Sequence, residues 1–224
     1  MAEIRLYFAD CAGVPENCRY PHEATIADED VLRKVVLHDY VCVACRNGYR
    51  SNANFLSTNC LGMDCDNDHS ENPDDWVTPE HIRSGFPDVS FAVHFSRNNL
   101  KSKRGKPPRP KFHVLFLIDE MTDPHEYSEL KKRVQAVFPC FDTRALDSAR
   151  FFFGTEEPNV AFYPGTTTLN ECLEMYYPRS AEDAFWKMES MYSATISEGS
   201  RNSTLSHFAG RILKRFGDTK EAYL

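Results

Sequence analysis

The chain has 224 residues, 26 Lys+Arg against 33 Asp+Glu and a formal net charge of −7, which excludes a simple polycation and requires any contact with a polyanion to be local. Its 42% hydrophobic, 12% aromatic and 26% charged residues describe a soluble globular chain, not a disordered one. At about 100–200 residues per domain the length fits one body with a small appendage. No apolar run approaches the ~18 residues of a membrane span. The start, MAEIRLYFAD, lacks a basic segment followed by an apolar one, so a cytoplasmic protein with no membrane partner is expected.

Ile4 to Ala9 has the composition of a short strand, and Asp28 can cap a helix running to about Tyr40 on an apolar stripe of Val31, Leu32, Val35 and Val36. Thr78-Pro79 supplies a cap and a first-turn proline for a brief helix that Gly85 and Pro87 end. Val89–Phe95 and Phe112–Ile118 are apolar strand segments, the second suited to a sheet covered on both faces. Asp123-Pro124 opens the clearest helix, with Tyr127, Leu130, Val134, Val137 and Phe138 on one stripe, Lys131, Lys132 and Arg133 turned elsewhere, and Pro139 as its stop. Arg150–Phe153 and Asn159–Tyr163 are further strands, and helices are expected over Ala181–Tyr192 and Ser203–Phe216. The pattern is α+β: a body over 1–178 followed by a helical appendage over 179–224.

The eight cysteines, Cys11, Cys18, Cys42, Cys45, Cys60, Cys65, Cys140 and Cys172, are expected as reduced thiols. Cys42 and Cys45 form the one CxxC pair; zinc held by them with His38 and Cys60 or Cys65 stays open beside a reading as small buried hydrophobes.

Two opposed charge blocks carry the chemistry. Between Asp64 and Asp75 lie six acids (Asp64, Asp66, Asp68, Glu71, Asp74, Asp75) without a Lys or Arg. Asp64 and Asp66, two apart on a strand, point to one face and suit hard divalent cations such as Mg²⁺ or Mn²⁺. An EF-hand is disfavoured: position 6 of that spacing is His69 instead of Gly, and position 12 is Asp75 instead of Glu. From Arg97 to Lys111 there are seven basic residues (Arg97, Lys101, Lys103, Arg104, Lys106, Arg109, Lys111) and no acid, in a Gly/Pro-rich loop able to reach phosphates. His113 begins the strand that follows. A third acid is expected near both blocks, and Asp142 and Asp147 compete for that place.

Three segments in order, LGMDCDND, PRPKFHVLF and FDTRALDSARFFFG, resemble the archaeo-eukaryotic primase superfamily, in particular primase-polymerases of phages, plasmids and other mobile elements. The resemblance covers about residues 55–165. It implies a primase-polymerase core with a mixed sheet, RRM-like with an N-terminal α/β part, in which Asp64, Asp66 and Asp142 are catalytic and hold two Mg²⁺ or Mn²⁺ ions. It also implies that His113 contacts the phosphates of the incoming nucleotide, with Lys111 and Arg109 as further nucleotide-binding residues, and that Arg150 stands near the site; Arg97, of the same basic loop, is a further nucleotide-binding candidate. Pro-Lys-Phe precedes His113 where the family commonly has Ser or Gly two residues before the histidine. The implied activity is DNA-dependent nucleotidyl transfer: synthesis of primers, their extension, or both, on single-stranded DNA from NTPs or dNTPs. The tail resembles the start of the helical domain that follows such cores; a helicase would act in trans or in a longer parent chain, since this one has no GxxxxGK[ST] loop. The alternatives are a metal-dependent nuclease, which would shorten DNA without nucleoside triphosphates, and a non-catalytic replication-initiator module, for which Asp64 and Asp66 would be dispensable.

Overall fold

A computed structural model describes residues 3–102 and 107–177. The helices expected after Pro178, and Lys103, Arg104 and Lys106 of the basic loop, lie outside the described residues. The chain divides into two compact units, Met1–Asn170 and Glu171–Leu224, and the elements that build the site belong to the first.

Among the described residues, nine strands form two sheets. The small sheet has β1 (Ile4–Phe8), β2 (His22–Ile26), β3 (Tyr40–Val41) and β8 (Phe151–Phe152), in the order β2-β1-β3-β8. The large one has β4 (Ala44–Cys45), β5 (Phe55–Cys65), β6 (Phe91–Phe95), β7 (Phe112–Met121) and β9 (Val160–Tyr163), in the order β4-β5-β7-β6-β9. The α+β class holds. The sheet expected as mixed is instead two, and every ladder between these strands is antiparallel.

Alternation explains the small sheet: Ile4 and Leu6 turn into the core while Arg5 and Tyr7 remain partly exposed. Helix α1 (Glu29–Val35) starts where expected, with the Asp28 carboxylate accepting the Val31 N–H at 2.9 Å. It ends well before Tyr40, which is a strand residue paired with Phe8 and Phe152. Leu32, Val35 and Val36 of the α1 region join Ile4, Leu6, Ile26, Tyr40 and Phe152 of the small sheet and Cys60, Ala92, Leu115 and Leu117 of the large one in a single core. The small sheet thus packs on one face of the large sheet.

An aromatic cluster lies against the opposite face. Phe86, after helix α2 (Pro79–Gly85), meets Phe116 of β7 edge-on at 5.0 Å and Phe138, which caps helix α3 (Pro124–Val137), at 4.7 Å. β7 is accordingly buried from Phe112 to Ile118, as its continuous apolar run indicates. Tyr127 of α3 closes the open edge of β5: its hydroxyl donates to the Cys60 carbonyl at 3.1 Å and accepts the Gly62 N–H at 3.4 Å.

Lys131, expected to turn away from the apolar stripe, is buried with it. It is 1% exposed, its ammonium donates to the Asp147 carbonyl at 3.2 Å, and burial lowers its pKa to about 8. The strands β2, β3 and β4 and the helix α4 (Leu169–Tyr176) carry no pattern strong enough to be seen in the sequence; β3 and β4 are two residues each.

Candidate active site

β5 and β7 pair with Asp64 opposite His113, and β6 and β7 pair with His94 opposite His113. Directly opposed residues share a face, so Asp64, His113 and His94 form a row across three strands at one end of the large sheet. The face is the one the small sheet covers.

Asp64 is where the described carboxylates converge. The Asp142 N–H donates to the Asp64 carbonyl at 2.8 Å, and Cys65 forms a bridge with Phe141, so the loop carrying Asp142 is clipped to the end of β5. Burial first, and then the charges of Asp66 and Asp142, push the Asp64 carboxyl up to about 6, against a partial opposing pull from Arg150. The Arg150 guanidinium lies 3.5 Å from Asp64 Oδ2. Asp142 caps the short 3-10 turn Thr143–Ala145; burial works to raise its pKa but is outweighed by the N–H and guanidinium of Arg144, and the net shift is downward. Asp147, its rival, is exposed and accepts the Ala149 N–H at 3.1 Å, a local turn contact. Asp142 is the acid that adjoins Asp64.

His113 is 7% exposed, with Nε2 3.8 Å from Asp64 Oδ1. The Phe152 ring lies 4.6 Å from the imidazole. Burial drives its pKa down to about 3, with Asp66 opposing and Arg150 adding to the drop, so the ring is neutral near pH 7. Lys111, two residues earlier and 8% exposed, places Nζ 2.9 Å from Asp66 Oδ1 and 3.9 Å from Asp68 Oδ1. Arg97 follows β6 at the same end of the sheet; it is exposed, with its guanidinium 3.9 Å from the centre of the Phe153 ring.

Arg109 is placed differently from the nucleotide-facing role expected of it. It is fully buried, donating from Nη1 to the carbonyls of Asn67 at 2.9 Å and Ser70 at 3.4 Å and from Nη2 to Glu71 at 3.0 Å. Asn67, in the left-handed region at φ 52 and buried, donates to Val77 O and Pro110 O and accepts from Val77 N. Part of the acidic block is therefore neutralised inside the fold by Arg109.

Sequence reasoning missed Tyr40 and His94. The Tyr40 hydroxyl lies 3.0 Å from His94 Nδ1 and 3.2 Å from His113 Nδ1, and His94 Nε2 lies 3.0 Å from Thr155 Oγ1. A signal for His94 existed: β6 and β7 are apolar strands flanking one loop, each with a histidine one residue inside its loop-side end, and a hairpin places the two opposite each other. Cys42, considered for zinc, is buried in the core against Cys60.

Among the described residues, no group of three or more His, Cys, Asp or Glu side chains is arranged as a metal cage. The charges of Asp66 and Asp142 nonetheless reach Asp64 and raise its pKa, and carboxylate oxygens are the chemistry a hard divalent ion takes.

No protein-family description matches the chain, and no curated protein matches it. Among solved structures, the AEP domain of the primase-polymerase (PrimPol) of cyanophage S-2L has a similar backbone: TM-score 0.42 and 16% identity, covering 77% of this chain and 88% of that one.

Proposed function

We propose that the chain is a DNA-dependent nucleotidyltransferase of the primase-polymerase type, which makes or extends primers on single-stranded DNA from NTPs or dNTPs. The observation that carries this reading is the convergence of three distant segments on Asp64: His113 opposite it on β7, Asp142 hydrogen-bonded to its carbonyl, and Arg150 beside its carboxylate. These are the segments whose residues resemble the primase superfamily.

Asp64, Asp66 and Asp142 would hold the Mg²⁺ or Mn²⁺ ions, which supply activation of an attacking 3′-hydroxyl and charge stabilisation on the departing pyrophosphate. His113, neutral and held on a rigid strand, donates from Nε2 to a phosphate oxygen of the incoming nucleotide. Lys111 and Arg97 add positive charge at the same end of the sheet. Phe152 and Tyr40 pack behind the imidazole and keep water from it. Arg109 has no direct part; it holds the loop that follows Asp66.

The test incubates the protein with single-stranded DNA, with and without a primer, with each nucleotide set and with Mn²⁺ or Mg²⁺. Products lengthened only when nucleoside triphosphates are present, and lost in Asp64→Asn, support the reading. Shortened DNA without nucleotides would replace it with a nuclease, and DNA binding without either product would leave an initiator module.

A further inference from the structure

The site histidine does not stand alone. Tyr40 of β3 reaches across from the small sheet and places one hydroxyl between two imidazoles, 3.0 Å from His94 Nδ1 and 3.2 Å from His113 Nδ1. The far nitrogen of His94 lies 3.0 Å from Thr155 Oγ1, and that of His113 faces Asp64 Oδ1 at 3.8 Å. Tyr40 and His94 are each 0% exposed, so the Tyr40 hydroxyl and both His94 nitrogens must find their partners within this row.

A single phenolic hydroxyl has one proton to donate. It cannot donate to both Nδ1 atoms, and if it accepted from both its own buried proton would be left without an acceptor, so the two histidines take opposite tautomers. In one arrangement His113 carries its proton on Nδ1 and turns a bare nitrogen lone pair on Nε2 toward Asp64. In the other, His113 carries its proton on Nε2, toward the carboxylate, and Nδ1 accepts from Tyr40. Two facing acceptors repel, which tilts the row toward the second, and the hydrogen bond that Tyr40 then donates to His113 Nδ1 is what holds it there.

We propose that Tyr40, His94 and Thr155 are positioning residues that fix His113 as the Nε2–H tautomer, through a directional chain running Thr155 Oγ1–H to His94 Nε2, His94 Nδ1–H to Tyr40 Oη, and Tyr40 Oη–H to His113 Nδ1. The chain turns His113 into a donor aimed at the carboxylate end of the sheet, where an anionic ligand needs one. Its use toward a nucleotide phosphate rests on the function proposed above; the tautomer does not.

Long-range ¹H–¹⁵N NMR of uniformly ¹⁵N-labelled protein at neutral pH, free of nucleotide, reads each ring directly. The expected pattern is Nε2–H for His113 and Nδ1–H for His94. The reverse pattern, or the same tautomer at both rings, overturns the proposal. Tyr40→Phe should leave His113 as a mixture of tautomers and weaken nucleoside triphosphate binding about tenfold, the scale of one well-placed hydrogen bond. An unchanged His113 tautomer in that variant also overturns it. Should Tyr40→Phe not fold, the wild-type pattern still decides. Thr155→Val, which keeps the shape and removes the first donor, should then shift the His94 ¹⁵N signals; unshifted signals count against the chain. Failure of nucleotide incorporation with the expected tautomers would remove the functional reading and leave the relay standing.

Discussion

Asp64 and His113 sit side by side, and burial shifts their pKa values in opposite directions, with opposite effects on stability. Asp64 titrates near 6 in the folded chain against 3.8 for an ordinary aspartate, so between these values the folded state holds a proton that the unfolded state has lost. Its contribution therefore falls as pH rises through that window, by about 3 kcal/mol for a two-unit shift. Asp64→Asn removes the repulsion. It should abolish nucleotide incorporation yet unfold at higher urea than the wild type at pH 8, with no such gain at pH 4. A variant less stable at both pH values would contradict the crowding of carboxylates. His113 works the other way: folded it titrates near 3 against 6.5, so the unfolded chain takes up the extra proton and stability is lost as pH falls below 6.5. Burial and the neighbouring His113 push His94 in the same direction. Urea unfolding followed from pH 6.5 to 4 should show wild-type stability falling, and His113→Gln should flatten that slope by about 1.4 kcal/mol per pH unit, one proton's worth.

At the scale of elements, the register of β5 against β7 places the site, and Gly62 lets the small sheet come close enough to line it. A Cβ at Gly62 would stand 2.6 Å from Cys42 Sγ and 2.6 Å from the Phe152 ring, the ring that backs His113. Gly62→Ala should cost about 1–3 kcal/mol by overpacking, read as a lower urea midpoint, and should lower incorporation more than an equal destabilisation made on the exposed face of α1. Stability unchanged by the added methyl would argue that the sheets are not in contact there. Elements with strong local signals were legible: the caps at Asp28, Thr78 and Asp123 and the apolar run of β7 all start where the sequence places them. Tyr40 was read into a helix because α1's apolar stripe runs on to Val36, and nothing local marks a two-residue strand whose partners, Phe8 and Phe152, are far away in sequence. Residue type sets Lys131 apart from the apolar stripe, whereas its position on α3, four residues after Tyr127, carries it inward with that ring.

For the molecule as a whole, the net charge of −7 proves less informative than the way charges are spent. The acidic block at 64–75 and the basic block at 97–111 were legible as partners for an external cation and an external polyanion. In the fold they also satisfy one another, through Arg109 with Asp68 and Glu71 and through Lys111 with Asp66. Sequence counts charges without their depth, so exposed Arg97 and buried Arg109 looked alike. They should separate in titrations of nucleoside triphosphate with increasing salt. Arg97→Ala is expected to weaken binding several-fold and to reduce its salt dependence, because it removes an exposed cation. Arg109→Met is expected to lower the unfolding temperature while leaving that salt dependence as it was; a reduced salt dependence would place Arg109 on the ligand after all.

The ladder joining Tyr40 to Phe152 ties strands far apart in sequence, and it bears on how the protein comes into being as well as on how it rests. β6 and β7 pair as a hairpin and β5 joins β7 across the segment that carries α2 and β6, whereas Phe152 must reach Tyr40, already paired with Phe8 of β1, from far along the sequence, a closure of high contact order and correspondingly slow. A chain emerging from the ribosome therefore has Tyr40, Asp64, His113 and Asp142 before it has Phe152, the ring that backs that histidine. The wall behind His113 is complete only with the last strand of the small sheet.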